Sequence, residues 1–224
     1  MAVIHTATMA PGKLELLAAW LPAQPWYLGT AGEPELTKAG GFRLDDPQGE
    51  VGIEFMVVTD TSGDEPVSYH LPLGYRGAPL DGADEAALIG TSEHGVLGKR
   101  WIYDGAHDPV VVAQLLAFVQ GRAEAQAQGV SNTPDPSVTG HFTGPGLPAE
   151  VASVTVTDGP DGTDVSLGSA GSDPSLTLTV TRRPEPDSTG SDPAGSRGHV
   201  TAGWRRPDGA EQRGRFFLLR DTSL

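Results

Sequence analysis

The side chains with the most chemical reach are arginines near the end of the chain. Arg205 and Arg206 follow Trp204, and Arg213 and Arg215 lie in the next β-like segment. A Pro-Asp-Gly turn at 207–209 suits a hairpin between the two segments. Guanidinium groups on paired strands can hold a carboxylate or a phosphate through two parallel hydrogen bonds each. Trp204, and Tyr27 far upstream, offer aromatic faces of the kind that stack on sugar or peptide. Tyr27, Trp204, Arg205, Arg213 and Arg215 therefore form the candidate interaction surface. The competing reading is a solvated sheet face whose arginines pair weakly with Asp208, Glu211 and other acids.

Catalytic patterns are missing where they can be checked. A phosphate-binding loop needs Gly-x4-Gly-Lys-Ser/Thr; Gly98-Lys99 is followed by Arg100, and Glu93 stands where the first glycine belongs. Gly168-Ser169-Ala170-Gly171 lacks the spacing of a hydrolase nucleophile turn. His94 and His107 could meet a metal with Asp104 or Asp108, but a site needs three or four convergent ligands, and Asp108 before Pro109 is wanted as a helix cap. The adjacent acids Asp45-Asp46 and Asp84-Glu85 read as solvated loop pairs. No catalytic, cofactor-binding or metal-binding residue is expected.

Composition narrows the partners. Across 224 residues the formal net charge is -14, which opposes binding to nucleic acid or to an anionic membrane surface. The chain has no cysteine, so disulfides and thiolate metal sites are impossible. Its first residues show no basic-then-apolar leader and no apolar run approaches a membrane span, so a cytoplasmic protein is expected.

The elements that must position these residues are legible in outline. Leu14, Leu17, Ala18 and Leu21 share one helical face, and Pro22 stops that helix. Trp20, Trp26 and Tyr27 follow in a chain poor in aromatics, which reads as a core anchor. Ala2 to Thr6 is an edge-strand candidate. Phe42 and Leu44 mark a short strand. Val51, Ile53, Phe55 and Val57 alternate, as do Val67, Tyr69, Leu71 and Leu73, predicting a long hairpin across the turn at 61–66. Residues 84–89 read as a weak helix or turn, and 99–104 as a strand. A second helix carries Val112, Leu115, Leu116 and Val119 on one face, with Gly121 just past its end. Residues 123–135 read as a polar linker. Beyond it come six short strands near 138–142, 152–157, 163–167, 176–181, 199–205 and 213–219. The Pro/Ser/Gly-rich run 184–198 reads as a disordered loop. The expected organisation is an α+β domain over 1–125 and a β-rich antiparallel domain over 126–224.

Two strings carry a family resemblance. Trp20-Leu21-Pro22-x-Gln24-x-Trp26-Tyr27-x-Gly29 resembles the opening of actinobacterial maltokinases, which begin with a non-catalytic N-terminal cap. Trp101-x-Tyr103-Asp104-x-x-His107-Asp108-Pro109 is similar to the last strand and closing helix of that cap. The family usually has arginine at the position of Pro25, and a basic run where Thr30-Ala31-Gly32-Glu33 stands here. The resemblance implies a cystatin-like antiparallel sheet against a helix. More faintly, Leu176 to Arg183 resembles the strand that supplies a phosphate-anchoring lysine in maltokinase, but Thr179 occupies the lysine position. Within these 224 residues no large helical lobe carrying the catalytic and magnesium-binding acids is expected.

The function this implies is a non-catalytic interaction or regulatory module of maltokinase-type α-glucan or trehalose metabolism, whose partner is another protein of that metabolism. Two alternatives stand beside it. One is a carbohydrate-binding protein; the other is the accessory half of an ATP-dependent sugar kinase.

Overall fold

The computed structural model describes residues 8–29, 32–83, 85–144, 153–168, 176–187 and 195–222. The edge-strand candidate at Ala2 to Thr6 lies outside these residues. So do Asp84, Ser169 to Gly171 and the centre of the 184–198 loop, residues 188–194.

The described fold is mostly antiparallel sheet with two short helices. Among the described residues, strand β1 (Met9–Ala10) and helix α1 (Lys13–Trp20) open the chain, and Leu21–Ala23 continues α1 as a 3-10 turn carrying Pro22. Strands β2 (Leu36–Leu44), β3 (Val51–Asp60) and β4 (Val67–Arg76) follow, then β5 (Leu88–His94), β6 (Gly98–Asp104) and helix α2 (Pro109–Val119). Short strands β7 (Gln126–Ala127) and β8 (Thr139–Phe142) lead to β9 (Ser153–Gly159), β10 (Gly162–Gly168), β11 (Leu176–Val180), β12 (Ser196–Arg205) and β13 (Glu211–Asp221). The sheet order is β1-β5-β6-β4-β3-β2-β12-β13-β11-β10-β9, with β7 added to β2 and β8 to β12.

Side-chain alternation explains why the central hairpin is buried on both faces. Phe55 of β3 stands opposite Pro72, and Met56 opposite Leu71. Val51, Ile53, Phe55 and Val57 enter a core with α2 and the later strands. Met56, Val58, Tyr69, Leu71 and Leu73 enter a second core beneath α1. The two alternating sets seen in the sequence thus point to opposite faces.

Three elements differ from expectation. β2 is longer than Phe42 to Leu44: it runs from Leu36 and passes a register shift between Lys38 and Gly40, where Gly40 and Gly41 take positive φ values of 155° and 130°. A Cβ on Gly41 would lie 2.1 Å from the Phe55 carbonyl oxygen, so only glycine fits. β5 was hidden by its polar run Gly90-Thr91-Ser92-Glu93, and only the short turn Glu85–Ala87 precedes it. Finally, the segment 123–135 is docked: Ala125 is buried, β7 pairs with β2, and Gln128 Nε2 donates to Glu54 Oε1 at 2.8 Å.

The halves meet in one sheet and one core. Trp204 of β12 pairs with Gly40 of β2, and Phe42, Phe55 and Leu115 share a cluster with Val165, Leu178 and Phe217.

Candidate functional site

The string from Trp101 to Pro109 places two buried carboxylates, Asp104 and Asp108, in the interior. β6 delivers Asp104 to the sheet's end, where its Oδ1 accepts from the Ala106 amide at 3.2 Å and its Oδ2 takes the Arg182 guanidinium. Asp108 caps α2 by accepting from the Val110 amide at 2.9 Å. The same carboxylate receives Arg76 through two bonds, 2.6 Å from Nε and 2.7 Å from Nη2. Such two-toothed pairing fixes direction as well as charge. Tyr103 accepts from the Leu80 amide at 3.0 Å, tying down the segment after β4. Gly105 is required here, because a Cβ would lie 2.9 Å from Val111 Cγ1.

Helix α1 and the aromatic string after it close the opposite side. Trp26 is wholly buried, 5.8 Å from Trp20 and 6.0 Å from Tyr69 between ring centroids. Over its face, at 4.7 Å, lies the guanidinium of Arg182. Arg182 is fully buried, and its Nε donates to Thr163 Oγ1 at 2.7 Å. One residue of the later half thereby touches a residue of each string: Trp26 in the first and Asp104 in the second.

The family model of the maltokinase N-terminal cap domain matches residues 20–108. Those residues are similar to the maltokinase cap. The two boundaries of the match coincide with the two strings just described. No curated protein matches the chain.

In this cap the motif acids hold structure. Asp104 and Asp108 are both buried against arginine, so neither is free to join His94 and His107 around a metal. His94 Nδ1 instead accepts from the amides of Val96 and Leu97 in the β5–β6 turn. Among the described residues no group of three or more His, Cys, Asp or Glu side chains is placed to hold a metal ion. A further buried acid, Glu54, was not singled out by the sequence. Burial pushes its carboxyl up, but the Lys13 ammonium at 2.5 Å, with Tyr75 at 2.6 Å and Gln128, outweighs this and holds it below the usual carboxylate value. The phenol of Tyr75 is pushed far up by burial and by that carboxylate. This arrangement ties α1 and the 126–128 segment to β3.

The expected interaction surface is not assembled as one face. Trp204 is only 6% exposed and packs 6.1 Å from Phe216, so its ring is a core group. Tyr27 is half-buried, 5.4 Å from Tyr69, and donates to Asp60 Oδ2 at 2.7 Å. Burial and that neighbouring carboxylate raise its phenol well above the ordinary value. The arginines hold separate acceptors. Arg205 meets Glu211 at 2.6 Å, Arg215 meets Asp187 at 3.3 Å, and Arg213 spans the Ser137 carbonyl and Thr139 Oγ1. These contacts match the solvated-face reading for Arg205 and make Arg213 a strut for β8. These separate pairings are not the shared anion clamp that their spacing allowed.

An open cleft of about 340 Å3 lies where α2 gives way to β7. Asp45, Gln114, Arg122, Glu124, Gln126 and Asn132 line it. Sequence reading missed it because residues 123–135 looked like a free tether.

Among the described residues no helix is long and apolar enough to cross a membrane.

Proposed function

We propose that this chain is a non-catalytic module of maltokinase-type α-glucan or trehalose metabolism. It acts in the cytoplasm by binding another protein of that metabolism, and its cap keeps the cystatin-like arrangement of helix against antiparallel sheet. One observation carries the non-catalytic part. The position matching the anchoring lysine is Thr179, whose hydroxyl donates to Asp164 Oδ1 at 2.6 Å. Phosphoryl transfer depends on positioned positive charge, and a threonine bonded to a carboxylate brings the opposite. The nearby buried cation, Arg182, is spent on Asp104. The test is titration with Mg-ATP and a coupled assay for maltose 1-phosphate. Absence of both binding and turnover is expected. Turnover that survives extensive purification would overturn the reading, and micromolar nucleotide binding alone would favour the accessory half of a sugar kinase.

Carbohydrate binding is the second reading, favoured by the cleft at α2. Its planar amide and carboxylate side chains suit sugar hydroxyls, while Pro47 and Pro134 supply apolar surface. Titration with maltose and longer α-glucans tests it, with Gln114→Ala expected to abolish binding.

A further inference from the structure

Strand β2 carries two cations that hold no acid. Along β3, Glu54, Met56 and Val58 alternate onto one face, and their partners on β2 are Arg43, Gly41 and Lys38. Arg43 is half-buried and directly opposite Glu54, yet among the described residues its side chain has no hydrogen-bond or ion-pair partner. The reason is that Glu54 is already satisfied. Its Oε2 receives the Lys13 ammonium and the Tyr75 hydroxyl, and its Oε1 receives Gln128. Lys38, at the other end of this stretch, is exposed and likewise has no partner among the described residues. Partial burial lowers the pKa of its amine; Glu54 opposes this and Lys13 adds to it, so the three charges lie within electrostatic reach. Between Arg43 and Lys38, Gly41 leaves the floor open beside the Gln128 amide, since a Cβ there would lie 2.9 Å from Gln128 Nε2. Three cations against one acid leave two positive charges on this patch of a chain whose net charge is -14. Further along β3, Asp60 is held by Tyr27 and by the amides of Glu35 and Ser62.

We propose that Arg43 and Lys38 bind a phosphomonoester dianion over the floor at Gly41, with Lys13 adding to the field. The β3 partners of the two residues, Glu54 and Val58, lie about 13 Å apart along the strand, a gap that two long side chains leaning together can close around one phosphate group. A guanidinium fork and a compact ammonium suit its oxygens, and two free positive charges match its charge. The strongly acidic remainder of the chain repels an acidic macromolecular surface at long range, which favours a small anion. Glu54 is saturated by three donors, so it offers nothing to Mg2+. This inference does not depend on the functional reading above.

The experiment titrates isotope-labelled full-length protein at low salt with inorganic phosphate, glucose 6-phosphate, acetate and glucose, following amide and arginine Nε–H resonances. Both phosphates should move Lys38, Gly41 and Arg43 with a Kd of about 1 mM or tighter. Acetate, with a single charge, should bind at least about tenfold more weakly, and glucose should move none of the three. Equal affinity for the two phosphates would assign recognition to the phosphate group alone; tighter binding of the ester would add contacts to its body. Arg43→Gln and Lys38→Gln should each weaken phosphate binding at least about fivefold, while Arg205→Gln leaves it unchanged. Should Arg43→Gln misfold, exposed Lys38→Gln decides alone. Absence of phosphate-induced shifts at these residues, unchanged affinity in Lys38→Gln, or acetate binding as tight as phosphate would overturn the proposal.

Discussion

The core beneath α1 and the core beneath α2 are built in different ways. The first draws every one of its buried apolar members from Leu17 to Ile102, within a single stretch of chain. The second gathers Phe42 and Phe55 with Leu115 and, from the other end of the chain, Val180 and Phe217. Yet the local core is not sealed by its own segment. Its fully buried indole, Trp26, is covered by Arg182, and the Asp104 that ends β6 is neutralised by the same guanidinium. The family match at 20–108 therefore marks where the recognisable residues lie, while the structure satisfying them extends well past it.

The largest effect should come from Arg182→Ala. Removing one partner of a buried ion pair leaves an uncompensated buried charge and costs about 3–5 kcal/mol. It also uncovers Trp26, so we expect about 5 kcal/mol in a urea melt. Replacing Asp104 by Asn in the Arg182→Met background should recover much of this loss, because no charge is then stranded. Failure of the double change to recover stability would mean that the guanidinium's packing matters more than its charge.

Next comes Trp26→Ala, expected to cost about 4 kcal/mol by emptying the local core. A loss below about 1 kcal/mol, where surface substitutions lie, would contradict its placement.

Acid should act on the shared core through His70. Its imidazole is fully buried, 4.3 Å from Phe216 and 4.8 Å from Phe217, and Nδ1 donates to the Thr181 carbonyl at 3.2 Å. Burial, and then the charge of Arg182, lower its pKa from 6.5 to about 3. The folded state thus resists a proton that the unfolded chain accepts. The resulting stability is fully present above pH 6.5 and is lost as pH falls toward 3. Over that window the slope should approach about 1.4 kcal/mol per pH unit, and His70→Gln should flatten it. Identical slopes in the two proteins would contradict a buried neutral imidazole.

The smallest effect should follow Thr179→Val. The side-chain bond to Asp164 is exposed, so stability should change by less than about 0.5 kcal/mol in the same melt. A larger loss would give the position a structural weight that its exposure does not.

Much of this arrangement was readable in the sequence. Alternation in 51–57 and 67–73 announced the hairpin, Asp108-Pro109 announced the start of α2, and all six later β segments correspond to strands. The opposite facing of the two hairpin strands was not readable, because alternation gives period and not phase between strands. β5 lacked an apolar pattern, since a strand holding Gly90 against Leu16 needs none there. Tyr27 was read both as part of a core anchor and, with Trp204, as an aromatic face for a ligand, because aromatic type does not reveal what packs on top. Arg182 carried no signal beyond its place in an Arg-Arg pair, and its partner Asp104 is distant in sequence.

The cap-like half and the β-rich half share one interior, so they should unfold together. Urea unfolding of the unsubstituted protein, followed separately by nuclear magnetic resonance at the amides of β4 and of β10, is the sharpest test. Coincident midpoints and slopes are expected for the two reporters, shifted together by Arg182→Ala. Two separated transitions, with only one of them moved by Arg182→Ala, would contradict this.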